Sequence, residues 1–170
     1  YGFNDPDVRT FKKAKNILSK KKIKLKLIKR KYYKNFYDSY YFNRKFKQPF
    51  ISAKIAISQD YFSINKKSKW ITNEHSQKVT HLLRSKYDCI FSTSKTINKD
   101  NSLLNCRIDG FSKFKPDLFI IDLNLKLKKN LLLNNMTDKR KTFIVTKKEN
   151  SKKNQFYKKK GFKIVFVKSL

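Results

Sequence analysis

Between Gln48 and Arg107 the chain carries side chains whose types and order suit a planar, phosphorylated ligand. The run Ser68-Lys69-Trp70-Ile71-Thr72 sets a hydroxyl beside the only tryptophan. Arg84 closes Leu82-Leu83-Arg84, and Thr96, Asp100, Leu104 and Arg107 follow at short, regular spacings. A guanidinium fork binds phosphate or carbonyl oxygens through two parallel hydrogen bonds, which an ammonium cannot do. Lysine dominates the cations of this chain, and arginine stands only at Arg9, Arg30, Arg44, Arg84, Arg107 and Arg140. Arginine at positions 84 and 107 therefore points to an anionic ligand. Each residue also has an ordinary reading. Ser68 is a solvated loop serine, and Trp70 a lid or core residue. Arg84 answers the negative end of a helix. Thr96 and Asp100 are common turn residues, and Leu104 and Ala56 are core side chains.

These residues need elements to position them. Val8, Phe11, Ala14, Ile17 and Leu18 recur at helical spacing over Val8–Lys21, with Asp5 or Asp7 as cap and Pro6 in the first turn. Ile23–Leu27 alternates like a half-buried strand, and Lys31–Lys47 reads as a helix with most of its aromatics on one face. Phe50–Ile57 alternates as a strand, with Ile51, Ala53, Ile55 and Ile57 on one side. Asn73–Lys86 is expected to be a helix capped by Thr72, with Glu74 in its first turn and Val79, Leu82 and Leu83 toward the core. Tyr87–Thr93 is the next strand, with Thr96 and Asp100 in the turn after it. The apolar run of Asp117–Asp122 reads as a strand buried on both faces. Thr142–Thr146 is a strand, Ser151–Lys160 a helix stopped by Gly161, and Phe162–Lys168 a last strand. Strands alternating with helices predict an α/β domain with a mainly parallel sheet.

The ordered motifs S-x-W-I-T, H-x-L-R, T-x-x-x-D and L-x-x-R resemble the reductase domain of the bifunctional riboflavin-biosynthesis deaminase/reductase. That resemblance implies a dihydrofolate-reductase-like fold and NADPH-dependent reduction of 5-amino-6-(5-phosphoribosylamino)uracil to its ribitylamino product. It implies that Ala56, Trp70, Thr96 and Asp100 hold the cofactor, and that Ser68, Arg84, Leu104 and Arg107 hold the phosphorylated pyrimidine. It names no catalytic side chain. It further implies the end of a deaminase-like domain over residues 1–30, a connecting helix over 31–47 and the first part of a reductase domain over 48–170. A homodimer is compatible with it. The zinc-deaminase signature is absent from the sequence, so zinc is expected only in a deaminase domain outside this fragment. The fragment is expected to begin inside a longer protein, to lack the family's downstream glycine-rich phosphate segment and to be inactive alone.

Of the sequence's departures from the family, which include Lys99-Asp100-Asn101-Ser102 for the usual acidic pair with proline and a slightly short loop from Asp60 to Trp70, two bear on turnover. Tyr61 stands where Ser58-Gln59-Asp60-Tyr61 replaces the usual S-L-D-G, and Leu123 follows Asp122 where a serine is usual. These leave open a reductase that folds without turnover.

Composition sets the wider bounds. The 170 residues are 39% hydrophobic and 15% aromatic, enough for a core, with few Gly and Pro. No apolar run approaches the ~20 residues of a membrane span. Cys89 and Cys106 form no metal or disulfide framework, and Cys89 reads as a small buried hydrophobe. His75 and His81 are spaced wrongly for a metal pair. A reducing cytoplasm fits. The net charge of +31 admits a lysine-rich RNA-binding or ribosomal protein as the alternative. The lysine is spread with Asn, Ile, Phe and Tyr along the whole chain, which reads as compositional drift, with nonspecific polyanion binding as its consequence.

Overall fold

The computed structural model describes residues 1–2, 4–28, 31–63, 70–111, 113, 115–149 and 152–168, with the side chains of 31–35 outside that description. The chain forms two compact units, Tyr1–Ile55 and Ala56–Leu170.

The second unit is built on a four-stranded, wholly parallel sheet in the order β1 (Cys89–Thr93), β2 (Asp117–Ile121), β3 (Thr142–Thr146), β4 (Lys163–Phe166). β-Branched and aromatic residues fill these strands, as pleated backbone favours. Strand order follows chain order. With right-handed crossovers, every connection then passes over the same face of the sheet. That face carries the core. Leu118, Ile120 and Ile144 from the strands meet Ile97 of α4 (Ser94–Asp100) and Tyr157 of α5 (Lys152–Lys159). Leu125, Leu127, Leu131, Leu133, Met136 and Phe162 complete the cluster.

The opposite face carries a row of aromatics. Phe91, Phe119 and Phe143 lie in register across three strands, with ring centroids 5.0 and 4.4 Å apart and nearly parallel planes. Phe91 remains 62% exposed. The expectation that β2 is buried on both faces is thus corrected. Leu118 and Ile120 are fully buried, while Asp117, Phe119 and Ile121 are only half-buried, because the crossovers cover one side.

Buried polar groups fix the connections. Asp122, just after β2, accepts from Ser94 Oγ (2.8 Å) and from the backbone N–H groups of Lys126 (2.8 Å) and Leu127 (2.7 Å). The Tyr157 hydroxyl donates to Leu127 O at 2.8 Å, and burial pushes its pKa up to about 12. Gly161 ends α5 with φ +85°, a conformation that glycine adopts without steric cost.

Other expectations shift at their edges. The helix before β1 is α3 (Glu74–Ser85), and Asn73 rather than Thr72 caps it, its Oδ1 accepting from Ser76 N at 2.9 Å. Val79 and Leu83 are exposed and line a surface groove with Leu82 and Phe111 instead of entering the core. Thr96 and Asp100 lie on α4, not in a turn. The Thr93 side chain caps that helix, so the chain turns directly into it from β1. Cys89 is half-buried, and Cys106 is the thiol that is truly enclosed.

The first unit contains α1 (Lys13–Lys20) and α2 (Lys31–Phe46). The expected helix over Val8–Lys21 begins late, because Lys12 adopts φ 57° and breaks it. Asp7 instead organises the preceding turn, with its backbone oxygen accepting from Thr10 N and Phe11 N. The Asp7 carboxylate is buried between Arg9 (2.7 Å) and Arg44 (3.0 Å). Hydrogen bonds from the Arg9 side chain and backbone hold it well below the usual carboxylate range.

Ile23–Leu27 is not a strand, although Tyr1 pairs with it through Lys26 O and Ile28 N, each at 2.8 Å. Phe50–Ile57 is also without strand structure. Alternation supplies two faces, but a strand needs a backbone partner. No ladder includes these residues among those described, and Ile51 and Ile55 are 81% and 71% exposed.

Candidate functional site

The arginines that sequence singled out converge. Arg84, in the last turn of α3, sends Nη1 to Asn105 O at 3.1 Å. Arg107 lies in the loop between α4 and β2. His81, one turn before Arg84, stands between them. Its Nδ1 is 3.1 Å from Asn105 O, 3.2 Å from Arg107 N and 3.4 Å from Arg84 Nη1, and its Nε2 is 3.5 Å from Arg107 Nη2. Burial, then Arg84 and Arg107, lower the His81 pKa below its ordinary value, so the ring is neutral at physiological pH. Burial chiefly, and then Arg107, lower the Arg84 pKa.

A third guanidinium fixes the loop from below. Arg140 is 6% exposed, with Nη1 donating to Leu104 O at 3.0 Å and Pro116 O at 3.4 Å, and Nη2 donating to Leu103 O. Desolvation brings its pKa down to about 10. Leu104 is held at φ 50° between these bonds and packs half-buried on the core. Arg84 and Arg140 therefore bind residues 103–105 of a loop that carries Arg107 itself. The described ion pairs of this protein all involve Asp7, none of them Arg84, Arg107 or Arg140. A cationic cluster with no ion pair to Arg84 or Arg107 among the described residues, and with the Arg107 fork exposed, is chemically a site for a phosphate or another oxyanion.

Thr96 and Asp100 form a second group. They are exposed and four residues apart on α4, so they share a face just beyond the carboxyl end of β1. Thr96 N donates to Thr93 Oγ1 at 3.3 Å, and the two threonine hydroxyls are 3.2 Å apart. Trp70 is 56% exposed in the coil before α3. Ala56 is half-buried at the start of the second unit. Ser68 lies outside the described residues. Among the described residues no cluster of His, Cys, Asp or Glu could hold a metal ion.

Sequence reasoning missed His81, Arg140 and Asp122. His81 and Arg84 are three apart on a helix, which places them on one face. Arg140 carried the same signal as Arg84 and Arg107, an arginine retained in a lysine-rich chain. Asp122 gave no such signal, because an aspartate ending a strand is also common turn chemistry.

Comparisons with known proteins agree with this fold. The sequence model of the RibD C-terminal domain matches residues 49–169. The riboflavin biosynthesis protein RibD of Aquifex aeolicus is 32% identical over 123 residues, 71% of this chain and 34% of that protein. Two solved structures share the fold. One is a diaminohydroxyphosphoribosylaminopyrimidine deaminase/5-amino-6-(5-phosphoribosylamino)uracil reductase of Thermotoga maritima, with TM-score 0.74 at 20% identity over 98% of this chain and 46% of that one. The other is RibD of Acinetobacter baumannii, with TM-score 0.73 at 17% identity over 99% and 48%. The chain thus spans about a third of the curated relative and just under half of these structures. With that match over most of its length, and with a parallel sheet of the same fold, the chain belongs to the RibD C-terminal domain family.

Proposed function

We propose that this chain is part of an NADPH-dependent reductase acting on 5-amino-6-(5-phosphoribosylamino)uracil in riboflavin biosynthesis. The convergence of Arg84 and Arg107 on His81 carries the reading. A phosphoribosyl group offers the oxyanion that two unpaired guanidinium groups call for, and Leu104 gives that loop an apolar neighbour beside them. Ser68 adds a hydroxyl to the same ligand.

The cofactor side rests on donor chemistry. A threonine hydroxyl and a carboxylate on one exposed helical face suit ribose hydroxyls, and an exposed indole suits a flat ring. Trp70, Thr96 and Asp100 would hold NADPH there, with Ala56 leaving room for its ring. The chain's three glycines, Gly2, Gly110 and Gly161, form no glycine-rich turn after a strand. When bound, NADPH supplies the hydride that reaches C1′ of the ribose. The chain's own contribution is proximity and charge: Arg107 and Arg84 fix the phosphorylated sugar, and the 103–107 loop, braced by Arg140, keeps them in place.

Residues 1–30 then belong to a deaminase-like domain, 31–47 to a connecting helix and 48–170 to the reductase. Two free cysteines accord with a reducing cytoplasm. In the full-length protein NADPH should raise the melting temperature, and Trp70→Ala or Asp100→Ala should reduce that rise. An intact protein whose melting temperature ignores NADPH would contradict the reading.

A further inference from the structure

We propose that His81 is the positioning residue of the anion site, a neutral imidazole that holds the fork of Arg107 beside that of Arg84. The inference rests on the reductase reading for its substrate, but its geometry is independent of it. Two guanidinium groups with no carboxylate among their recorded partners repel each other, so something neutral must tie both to one place. Asn105 O ties Arg84, at 3.1 Å. Among the described residues, His81 is the side chain that ties Arg107.

The neutral tautomer decides which part of Arg107 the ring holds, its backbone with Nδ1 bare or its fork with Nδ1 protonated. With Nδ1 bare, it accepts from Arg107 N at 3.2 Å and from Arg84 Nη1 at 3.4 Å. With Nδ1 protonated, it donates to Asn105 O at 3.1 Å and leaves Nε2 to accept from Arg107 Nη2 at 3.5 Å. An imidazolium accepts nothing and adds a third cation. The groups acting on it are cationic or neutral: Arg84 on its own helix, and Arg107 and the Asn105 carbonyl from the facing loop. Arg84 in turn feels Cys106 and, from the residues leading into β3, Arg140. Protonation therefore drives Arg107 away from the site.

The test uses the full-length protein with His81→Leu and His81→Gln, the second of which keeps an amide near the ring nitrogens. Substrate KM, NADPH Kd and inorganic phosphate affinity are measured from pH 5 to 8, beside nitrogen-15 NMR of the His81 ring. The expected result is a loss of phosphate and substrate affinity on the order of tenfold in His81→Leu, with NADPH Kd unchanged and partial rescue in His81→Gln. Wild-type affinity should fall further than that of either variant as His81 protonates below its ordinary range, the variants keeping only the fall caused by protonation of the phosphate itself. Unchanged phosphate affinity in His81→Leu, or a ring that titrates at or above the ordinary histidine value, would overturn the proposal. If His81→Leu does not fold, His81→Gln and the wild-type ring titration decide alone. If phosphate binding responds as expected while NADPH and the aminopyrimidine do not bind at all, the reductase reading fails and the role of His81 stands.

Discussion

Tyr61 is a residue whose backbone and side chain disagree. Its φ is 64°, in the left-handed region, within a turn closed by Ser58 N to Phe62 O at 2.8 Å and Tyr61 N to Ser58 O at 3.0 Å. The side chain is 82% exposed, so little packing offsets the strain. The sequence had marked this place as a departure from a glycine, and the backbone explains why glycine suits it. Tyr61→Gly should stabilise the protein by about 1 kcal/mol in chemical denaturation, since glycine takes this φ without a Cβ clash. A neutral or destabilising result would mean that the phenol makes a contact the turn depends on. The same scale gives the logic of the arginines. Arg9 and Arg44 enclose Asp7, while Arg84, Arg107 and Arg140 gather on one loop. Lysine, by contrast, is exposed along the α-helices among the described side chains, except for Lys153, whose Nζ donates to Leu125 O and Leu127 O. Residue type was therefore a sound guide to the site, and it failed at His81 because a histidine was weighed only as a metal ligand.

Among the elements, those with strong local signals were legible. Thr142–Thr146 is the strand expected from its apolar run, and α5 stops at Gly161. α3 forms where its spacing predicts, but its cap is one residue later than expected. Thr72 and Asn73 are both good capping residues, and only the φ and ψ of the turn decide between them. Asn73→Ala should cost about 1 kcal/mol of stability while Thr72→Ala costs much less, as thermal melts would show. Equal losses would contradict the assigned cap. Phe50–Ile57 and Ile23–Leu27 failed for a different reason. Periodicity describes a segment's two faces, whereas a strand exists only through a partner that local sequence does not name. Likewise, nothing local tells a leucine on α3 whether the surface above it is core or groove.

For the whole molecule, charge and fold answer separate questions. The +31 charge is carried by lysines and arginines distributed along the sequence of both units. Nucleic acid should therefore bind in a sequence-independent way and be released steeply by salt. Sequence preference at fixed salt, measured with several single-stranded probes, would revive an RNA-binding role. The parallel order of the four strands follows from right-handed crossovers laid in succession, which place the core on one side and leave the Phe91–Phe119–Phe143 row on the other. That architecture was readable from alternating elements; the meeting of α3 with the 103–107 loop was not, because it depends on long-range contacts. The central claim is that this meeting builds a site for a phosphorylated sugar. Steady-state kinetics of Arg107→Lys in the full-length protein test it most directly. The substrate KM should rise roughly tenfold or more as the bidentate fork is lost, with the NADPH KM nearly unchanged. Equal losses for substrate and cofactor, or no loss for either, would contradict it.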